Sequence, residues 1–100
     1  MNLEKKIFLF ESKPRMPSEN LAINEICLSM VKDGGYDFIG RAYYHTNGVI
    51  LGYKESVEDV NQEACERQGY EVVRRPSGGS AIIVNPSSTL CYSLFFLPKA

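Results

Sequence analysis

The segment Arg74–Ala81, which reads RRPSGGSA, holds the residues of this chain that are best suited to bind an anion. Adjacent glycines let backbone N–H groups point into one concavity and let a ligand approach without meeting a Cβ. Two arginines beside them add fixed positive charge for a phosphate or a carboxylate. The segment therefore predicts either an anion-binding loop or an ordinary glycine-rich turn with solvated arginines.

Other patterns that could do chemistry are weaker. No GxxxxGK[ST] or GxGxxG run opens a helix, which excludes two familiar phosphate loops. His45 is the only histidine and has no partner at ligand spacing, so a structural role is favoured and no metal site is predicted. Cys27, Cys65 and Cys91 form no CxxC pair, a pattern typical of buried thiols in a reducing cytoplasm. We interpret Cys91, in an apolar strand, as a packed thiol rather than a nucleophile.

Composition excludes several classes of protein. The chain has 100 residues, 44% of them hydrophobic and 23% charged, which predicts one soluble globular domain or part of one. A net charge of −1 argues against nucleic-acid binding by bulk charge. No apolar run approaches the roughly eighteen residues of a membrane span, and the start lacks the features of a secretory signal. We therefore expect a cytoplasmic protein with no nucleic-acid or membrane partner.

Hydrophobic patterning predicts the elements that must position the arginines and glycines. Ser18 is the predicted N-cap of a first helix over Glu19 to Lys32, and Ser56 caps a second that runs to about Gln68. The buried stripe of the first helix is predicted to hold Ile23, Ile26, Cys27, Met30 and Val31. The predicted strands are Ile7 to Phe10, Asp37 to His45, Val49 to Tyr53, Glu71–Arg75, Ala81–Val84 and Leu90–Leu97.

The order of these elements predicts the fold class. It is β-α-β-β-α-β-β-β, and Asn47-Gly48 between two apolar runs predicts a tight hairpin. We therefore expect an α+β fold, with a mixed, mostly antiparallel sheet and helices packed on it, and not a doubly wound parallel sheet.

The segment that follows Glu71 resembles the signature of the lipoate–protein ligase family, which shares its catalytic fold, a class II synthetase-like fold, with biotin–protein ligases. Further motifs of that family have similar counterparts, in the same order, at Asn20-Leu21-Ala22 with Glu25, Arg41-Ala42-Tyr43, Gly48 to Gly52 and Val60-Asn61. The positions that match the signature itself are Arg74, Arg75, Ser77, Gly78, Gly79, Ala81, Tyr92 and Ser93.

The resemblance implies an adenylating acyltransferase. Its substrates would be ATP, with magnesium, and lipoate, and the lipoyl group would pass from lipoyl-AMP to a carrier lysine. The implied carriers are the lipoyl carrier domain of a 2-oxoacid dehydrogenase and the glycine cleavage H protein. Tyr43 is implied as a wall of an apolar acyl slot, together with Val49 and Leu51. The implied adenylate-binding residues are Arg74, Arg75, Ser77, Gly78, Gly79, Ser80 and Ala81; no catalytic residue or metal ligand is assigned.

The chain also departs from the family pattern. Ser80 replaces the third glycine, and Val84-Asn85 stands where the family has His-Asp. Glu55 brings a negative charge where the family has an amide side chain. The family's lysine beyond the Tyr-Ser strand has no counterpart, and Lys99 is too close behind that strand to be assigned to it.

Three hypotheses remain open. In the first, residues 1–100 are the N-terminal part of one incomplete lipoate–protein ligase catalytic domain, inactive by itself. In the second, the protein is an ATP-independent octanoyl or lipoyl transferase of the same fold. In the third, it is a non-catalytic paralogue that binds a ligand or partner through the same site.

Overall fold

A computed structural model describes residues 5–87 and 89–98, and within them the order of helices and strands is as predicted; Lys99 lies outside them. Most boundaries fall within two residues of the predicted ones. The strands are β1 (Ile7–Glu11), β2 (Phe38–Tyr44), β3 (Gly48–Leu51), β4 (Glu71–Arg74), β5 (Ile82–Val84) and β6 (Leu90–Phe96), and the helices are α1 (Pro17–Lys32) and α2 (Gln62–Arg67), with a 3₁₀ turn at Val57–Asp59.

The α+β class is confirmed, and the strands divide over two mixed sheets. One sheet has the order β1-β2-β6, with β1 parallel and β6 antiparallel to β2. The other has the order β4-β3-β5, with β4 parallel and β5 antiparallel to β3. Parallel neighbours need a crossover connection, which α1 supplies in the first sheet and α2 in the second.

The predicted hairpin at Asn47-Gly48 is wrong. The strands on either side, β2 and β3, belong to different sheets, because each already has a hydrogen-bonded neighbour on both edges. Gly48 does not have the positive φ that a tight hairpin turn would require. It is needed for a close approach instead, since a Cβ there would lie 2.5 Å from Cγ of Pro17.

Helix α1 begins two residues before its predicted start. Met16 is the N-cap, and its N–H donates to the Glu19 carboxylate at 3.2 Å. The predicted cap, Ser18, uses its N–H and its hydroxyl to donate to the Glu71 carboxylate, at 2.8 and 2.7 Å, which ties α1 to β4. Gly34, with φ of 81°, follows the C-terminus as predicted.

The predicted second helix is interrupted. Ser56 caps only the 3₁₀ turn, by accepting from the N–H of Glu58 at 3.1 Å. The backbone then becomes extended at Val60, and Asn61 caps α2 by accepting from the N–H of Ala64 at 3.0 Å. The side chains of Ser56 and Asn61 each accept a hydrogen bond from a backbone N–H at the start of a short helical segment. Two short segments therefore form in place of one continuous helix.

Helix α1 packs on one face of the β1-β2-β6 sheet. Cys27, Val31 and Ile39 are the buried residues of this core, with Ile23 and Met30 partly buried beside them. Ile26, which was predicted in the buried stripe, is 58% exposed, because it lies on the side of α1 turned away from the sheet. The core therefore keeps α1 fixed above β2.

Candidate functional site

A groove of about 600 Å³ runs between α1, the two sheets and the loop that follows β4. It brings together four of the predicted site residues: Tyr43, Arg74, Arg75 and Ser77. Most of its wall is apolar. The remaining lining residues are Leu21, Asn24, Glu25, Leu28, His45, Ile50, Tyr53, Pro76, Ile82, Cys91 and Phe95.

Tyr43 forms part of the groove wall, and its role beside an acyl chain stays a prediction. Its hydroxyl is held at 3.0 Å by Oγ of Ser93 and receives a hydrogen bond from Nδ2 of Asn24 at 3.3 Å. The implied neighbours Val49 and Leu51 are buried but do not line this groove. Side chains alternate along a strand, so Ile50 faces the groove in their place.

Arg75 stabilises the arginine–glycine loop, which we define as residues 74–81, by hydrogen bonds to its carbonyls. Its Nη2 donates to the carbonyls of Gly78 and Ser80, at 2.8 Å each, and its Nη1 donates to the carbonyl of Ile50 at 3.2 Å. A planar guanidinium suits several acceptors in one plane. Because the loop carbonyls turn toward this side chain, the loop is closed around its own arginine.

Arg74 stabilises the turn after β3 by hydrogen bonds to its carbonyls. Its Nη1 donates to the carbonyls of Gly52 at 3.2 Å and Tyr53 at 3.0 Å, and also to that of Glu55. The Glu55 carboxylate accepts from the N–H of Gly52 at 2.8 Å, so its negative charge closes this turn. Neither Arg74 nor Arg75 forms an ion pair with a described acidic residue, and both line the groove.

The glycines of the loop allow a close approach of two backbones. Gly79 has φ of 104°, and a Cβ on Gly52 would lie 2.0 Å from the Gly79 carbonyl oxygen. Residues 78–81 do not line the groove, but they follow directly on Ser77, which does. Their backbone N–H groups donate to no other described residue, which leaves them available to an anion.

The other departures from the family pattern lie away from the groove. Ser80 is exposed, and Val84 is fully buried in β5. The Asn85 side chain accepts from the N–H and hydroxyl of Ser87, at 3.0 and 2.9 Å, and so forms a local turn. None of the three lines the groove.

A buried polar cluster lies behind the groove, and its arrangement was not predicted. Asn20, Arg41 and His45 are 0, 2 and 3% exposed. Arg41 donates to the Asn20 side-chain oxygen at 2.7 Å, and Nδ2 of Asn20 lies 3.0 Å from Nδ1 of His45. Asn20 and Arg41 each belonged to a separate matching motif. One sequence signal could have linked them: Asn20 is a polar residue of α1, and Arg41 is a charged residue within the apolar strand β2.

Burial changes the acidity of groups in and behind the groove. It lowers the pKa of His45, and the nearby charge of Arg41 lowers it further, so the neutral ring is favoured. Burial also raises the pKa of the Cys91 thiol, which disfavours the thiolate. This agrees with our interpretation of Cys91 as a packed thiol.

The described residues contain no group of three or more His, Cys, Asp or Glu side chains that could hold a metal ion. A second hollow, of about 720 Å³, lies near Lys5, Lys32 and Asp37 and contains none of the predicted site residues. The groove and the arginine–glycine loop together place an apolar wall beside two arginines.

Fold and site together define an α+β structure in which an apolar groove lies beside an arginine- and glycine-rich loop. Residues 16–100 match the family model of the lipoyl protein ligase A/B catalytic domain. The chain belongs to this family, a family of ligases and acyltransferases, as the sequence resemblance indicated.

Two curated relatives are similar to this chain. Octanoyltransferase LipM of Carboxydothermus hydrogenoformans is 38% identical over 68 residues, which are 66% of this chain and 25% of the relative. The octanoyl-[GcvH]:protein N-octanoyltransferase of Geobacillus kaustophilus is 33% identical over 91 residues, 88% of this chain and 30% of the relative.

Solved structures support the same assignment. A bi-partite lipoate protein ligase of Thermoplasma acidophilum, studied with its E2 lipoyl domain, has a TM-score of 0.70 at 27% identity, over 93% of this chain and 36% of that one. A lipoate-protein ligase A bound with ATP has a TM-score of 0.67 at 26% identity, over 92% and 36%. The chain thus spans a quarter to a little over a third of the length of the proteins it matches.

Proposed function

We propose that this chain is the substrate-binding portion of an enzyme that transfers a lipoyl or octanoyl group to a lysine of a lipoyl carrier domain. The observation that carries this proposal is the groove, whose lining joins apolar side chains to the first residues of the arginine–glycine loop. An acyl chain gains about 0.8 kcal/mol for each CH₂ that it buries, so an apolar groove suits a medium-length acyl group.

The arginine–glycine loop supports the polar half of the reaction. An acyl group that changes carrier passes through a species with a negative oxygen, and an activated acyl group can also carry a phosphate. The free N–H groups of Gly78 to Ala81 and the charges of Arg74 and Arg75 would stabilise either one. Ser77 and Ser80 add a hydroxyl each.

The first form of the reaction uses ATP to make lipoyl-AMP. The loop residues would hold the adenylate, and magnesium would arrive bound to the phosphates of ATP. What supports this form is the anion-binding character of the loop and the likeness to a lipoate-protein ligase A bound with ATP.

The second form takes an octanoyl or lipoyl group from another carrier and uses no ATP. What supports this form is that both curated relatives described above are named octanoyltransferases. The same groove and the same loop serve this form, because the acyl chain and the developing oxyanion are common to both.

The two forms are separated by an assay on the full-length protein. The protein is mixed with a lipoyl carrier domain and with either lipoic acid plus magnesium ATP or an octanoylated carrier. Acylation of the acceptor lysine is measured by mass, and pyrophosphate is measured in parallel. Pyrophosphate released in step with acylation supports the ligase, and acylation from the octanoylated carrier without pyrophosphate supports the transferase.

A matched pair of variants ties the result to the groove. Tyr43→Ala removes part of its wall, whereas Tyr36→Ala removes a tyrosine that does not line it. We expect acylation to fall at least about tenfold in the first variant only. If lipoyl-AMP binds tightly and neither substrate pair is turned over, the non-catalytic paralogue replaces both forms.

The carrier proteins, the domain assignment and the cellular location are also proposals. The carriers that fit are an E2 lipoyl domain of a 2-oxoacid dehydrogenase and the glycine cleavage H protein, since relatives are named with an E2 lipoyl domain and with GcvH. We further propose that residues 1–100 are the N-terminal part of one catalytic domain.

The three free cysteines support a reducing, cytoplasmic location. No helix in the described part of the chain is long and apolar enough to span a membrane.

A further inference from the structure

Arg41 is a buried cation without a carboxylate partner among the described residues. Its guanidinium donates to the main-chain oxygen of Asn20 at 3.1 Å, to the side-chain oxygen of Asn20 at 2.7 Å and to Oδ1 of Asn24 at 3.0 Å. Its Nε has no hydrogen-bond partner. A buried charge held only by neutral groups is costly for stability, so its contacts are the place to look for a role.

The first contact of Arg41 determines where His45 carries its proton. Arginine only donates, so the Asn20 oxygen faces Arg41 and the Asn20 Nδ2 is the donor that faces His45. Nδ2 also donates to the Tyr44 carbonyl at 3.1 Å, which confirms this orientation of the amide. Nδ1 of His45 must therefore accept, and the neutral ring carries its proton on Nε2.

The second contact of Arg41 holds Tyr43. The guanidinium carbon lies 3.9 Å from the centre of the Tyr43 ring, within cation–π distance. Asn24, which accepts from Arg41, donates in turn to the Tyr43 hydroxyl at 3.3 Å. Both the ring and the hydroxyl of this groove residue are therefore held by groups that Arg41 touches.

We propose that Asn20 and Arg41 are positioning residues of the groove. They hold His45 as the tautomer protonated on Nε2, and they fix the position of the Tyr43 ring. The groove then presents one fixed hydrogen-bond donor, Nε2 of His45, and one fixed aromatic wall, the ring of Tyr43. Neither lines the groove; they act through His45 and Tyr43, which do. The proposal rests on the function proposed above, because the oxygen that His45 would meet is that of an acyl substrate, a thioester carbonyl or a carboxylate.

The tautomer can be measured without any substrate. His45 is the only histidine of residues 1–100, so in this 100-residue chain labelled with nitrogen-15 histidine the ring nitrogen signals belong to it alone. Near neutral pH we expect the pattern of a ring protonated on Nε2. Asn20→Asp keeps an acceptor toward Arg41 but replaces the donor toward His45 by a carboxylate oxygen. In this variant we expect Nδ1 to be protonated.

Asn24→Asp is the matched control, since it adds the same charge beside Arg41 one helical turn away and makes no contact with His45. We expect it to leave the tautomer unchanged. Asn20→Ala provides a second measurement if Asn20→Asp does not fold: it removes the donor that faces Nδ1 of His45, so the ring loses the contact that selects one tautomer and should give a mixture of the two. A wild-type ring protonated on Nδ1, or equal responses in Asn20→Asp and Asn24→Asp, would overturn the proposal.

Titration with octanoic and lipoic acids links the tautomer to the groove. We expect both acids to shift the His45 nitrogen signals of the wild-type protein, and Asn20→Asp to bind them about tenfold more weakly. If the acids bind equally to both proteins, the positioning role fails while the proposed function stands. If neither acid binds the wild-type protein or shifts His45, the proposed function fails, and the positioning role fails with it.

Discussion

Arg74 and Arg75 both donate hydrogen bonds to backbone carbonyls. The sequence predicted two arginines whose charge faces an anion directly, whereas both guanidiniums donate to main-chain oxygens of the loop and of the neighbouring turn. The C=O and the N–H of one trans peptide group point in opposite directions. Turning the oxygens of Gly78 and Ser80 toward Arg75 therefore leaves the N–H groups of Gly79 and Ala81 facing away from that side chain.

The two glycines of the loop are not equivalent, and a pair of alanine variants should show it. Gly79→Ala would require a side chain at φ of 104° with its Cβ 2.7 Å from Nη2 of Arg75, whereas a Cβ on Gly78 meets nothing within 4 Å. We expect Gly79→Ala to lower the free energy of unfolding by about 1–3 kcal/mol and Gly78→Ala to change it by less than about 0.5 kcal/mol. Chemical denaturation of both variants measures the difference; equal losses would contradict it.

His45 should make stability depend on pH. Burial and then Arg41 hold its pKa below the ordinary value of 6.5, while Glu71 acts weakly in the opposite direction. Between the folded and unfolded pKa values only the unfolded chain binds the proton, so this contribution to stability is present above about pH 6.5 and is lost as pH falls below it. We expect His45→Gln to flatten the fall in denaturation midpoint on acidification; parallel curves for variant and wild type would show that His45 does not contribute.

At the scale of elements, β5 separates the groove from the surface on its other side. Ile82 lines the groove, whereas Ile83, the next residue, lines a hollow beside α2. Adjacent residues of a strand point to opposite faces, so β5 turns one face to the groove and the other to this hollow.

This alternation gives a matched test of the groove. Ile82→Glu places a carboxylate in the apolar groove and should weaken the binding of octanoic acid at least about tenfold, because a charge is costly to bury beside an acyl chain. Ile83→Glu makes the same chemical change at a more exposed position, 70% against 45%, and should bind like the wild type. Calorimetric titration measures both; weakening by Ile83→Glu alone would place the acyl site on the other face.

The error at Asn47-Gly48 also belongs to the scale of elements. An Asn-Gly pair reports how easily the local chain can turn, but it does not report which strands are free to pair. Here β2 pairs with β1 and β6, and β3 pairs with β4 and β5, so no edge remains for the two to share. The split is what opens the groove, since its lining includes residues from both sheets.

At the scale of the whole molecule, one face of the β1-β2-β6 sheet is apolar and exposed. Leu9, Phe38 and Leu94 meet above Gly40, and the ring of Phe96 stacks on that of Phe38 at 6.0 Å. Leu9, Leu94 and Phe96 are each more than half exposed. A contiguous apolar patch of this kind is typical of a surface that another surface covers.

We therefore expect this chain of 100 residues, prepared by itself, to self-associate through that face. Leu94→Lys should shift it toward the monomer, because a lysine in the middle of the patch would have to be buried without a partner. Ile26→Lys changes a residue of similar exposure on α1, 58% against 55%, and should have little effect. Sedimentation at several concentrations measures the mass; a chain that stays monomeric throughout would contradict the prediction.

Local sequence patterns were enough to predict the order of the elements, the α+β class, the family and four of the residues that line the groove. These depend on local preference and on motifs contained in short segments, such as the apolar periodicity of α1 and the run from Arg74 to Ala81. Tyr43 and the two arginines were found in this way, because each belongs to a motif that is complete within a few residues.

The way in which those segments meet depends on contacts between residues far apart in the chain. The division into two sheets, the use of Ile50 rather than Val49 and Leu51, and the path from Arg41 through Asn20 to His45 join residues far apart in the chain. Strand pairing and buried hydrogen bonds depend on which partners remain available once other elements have packed, and a local pattern carries no information about that.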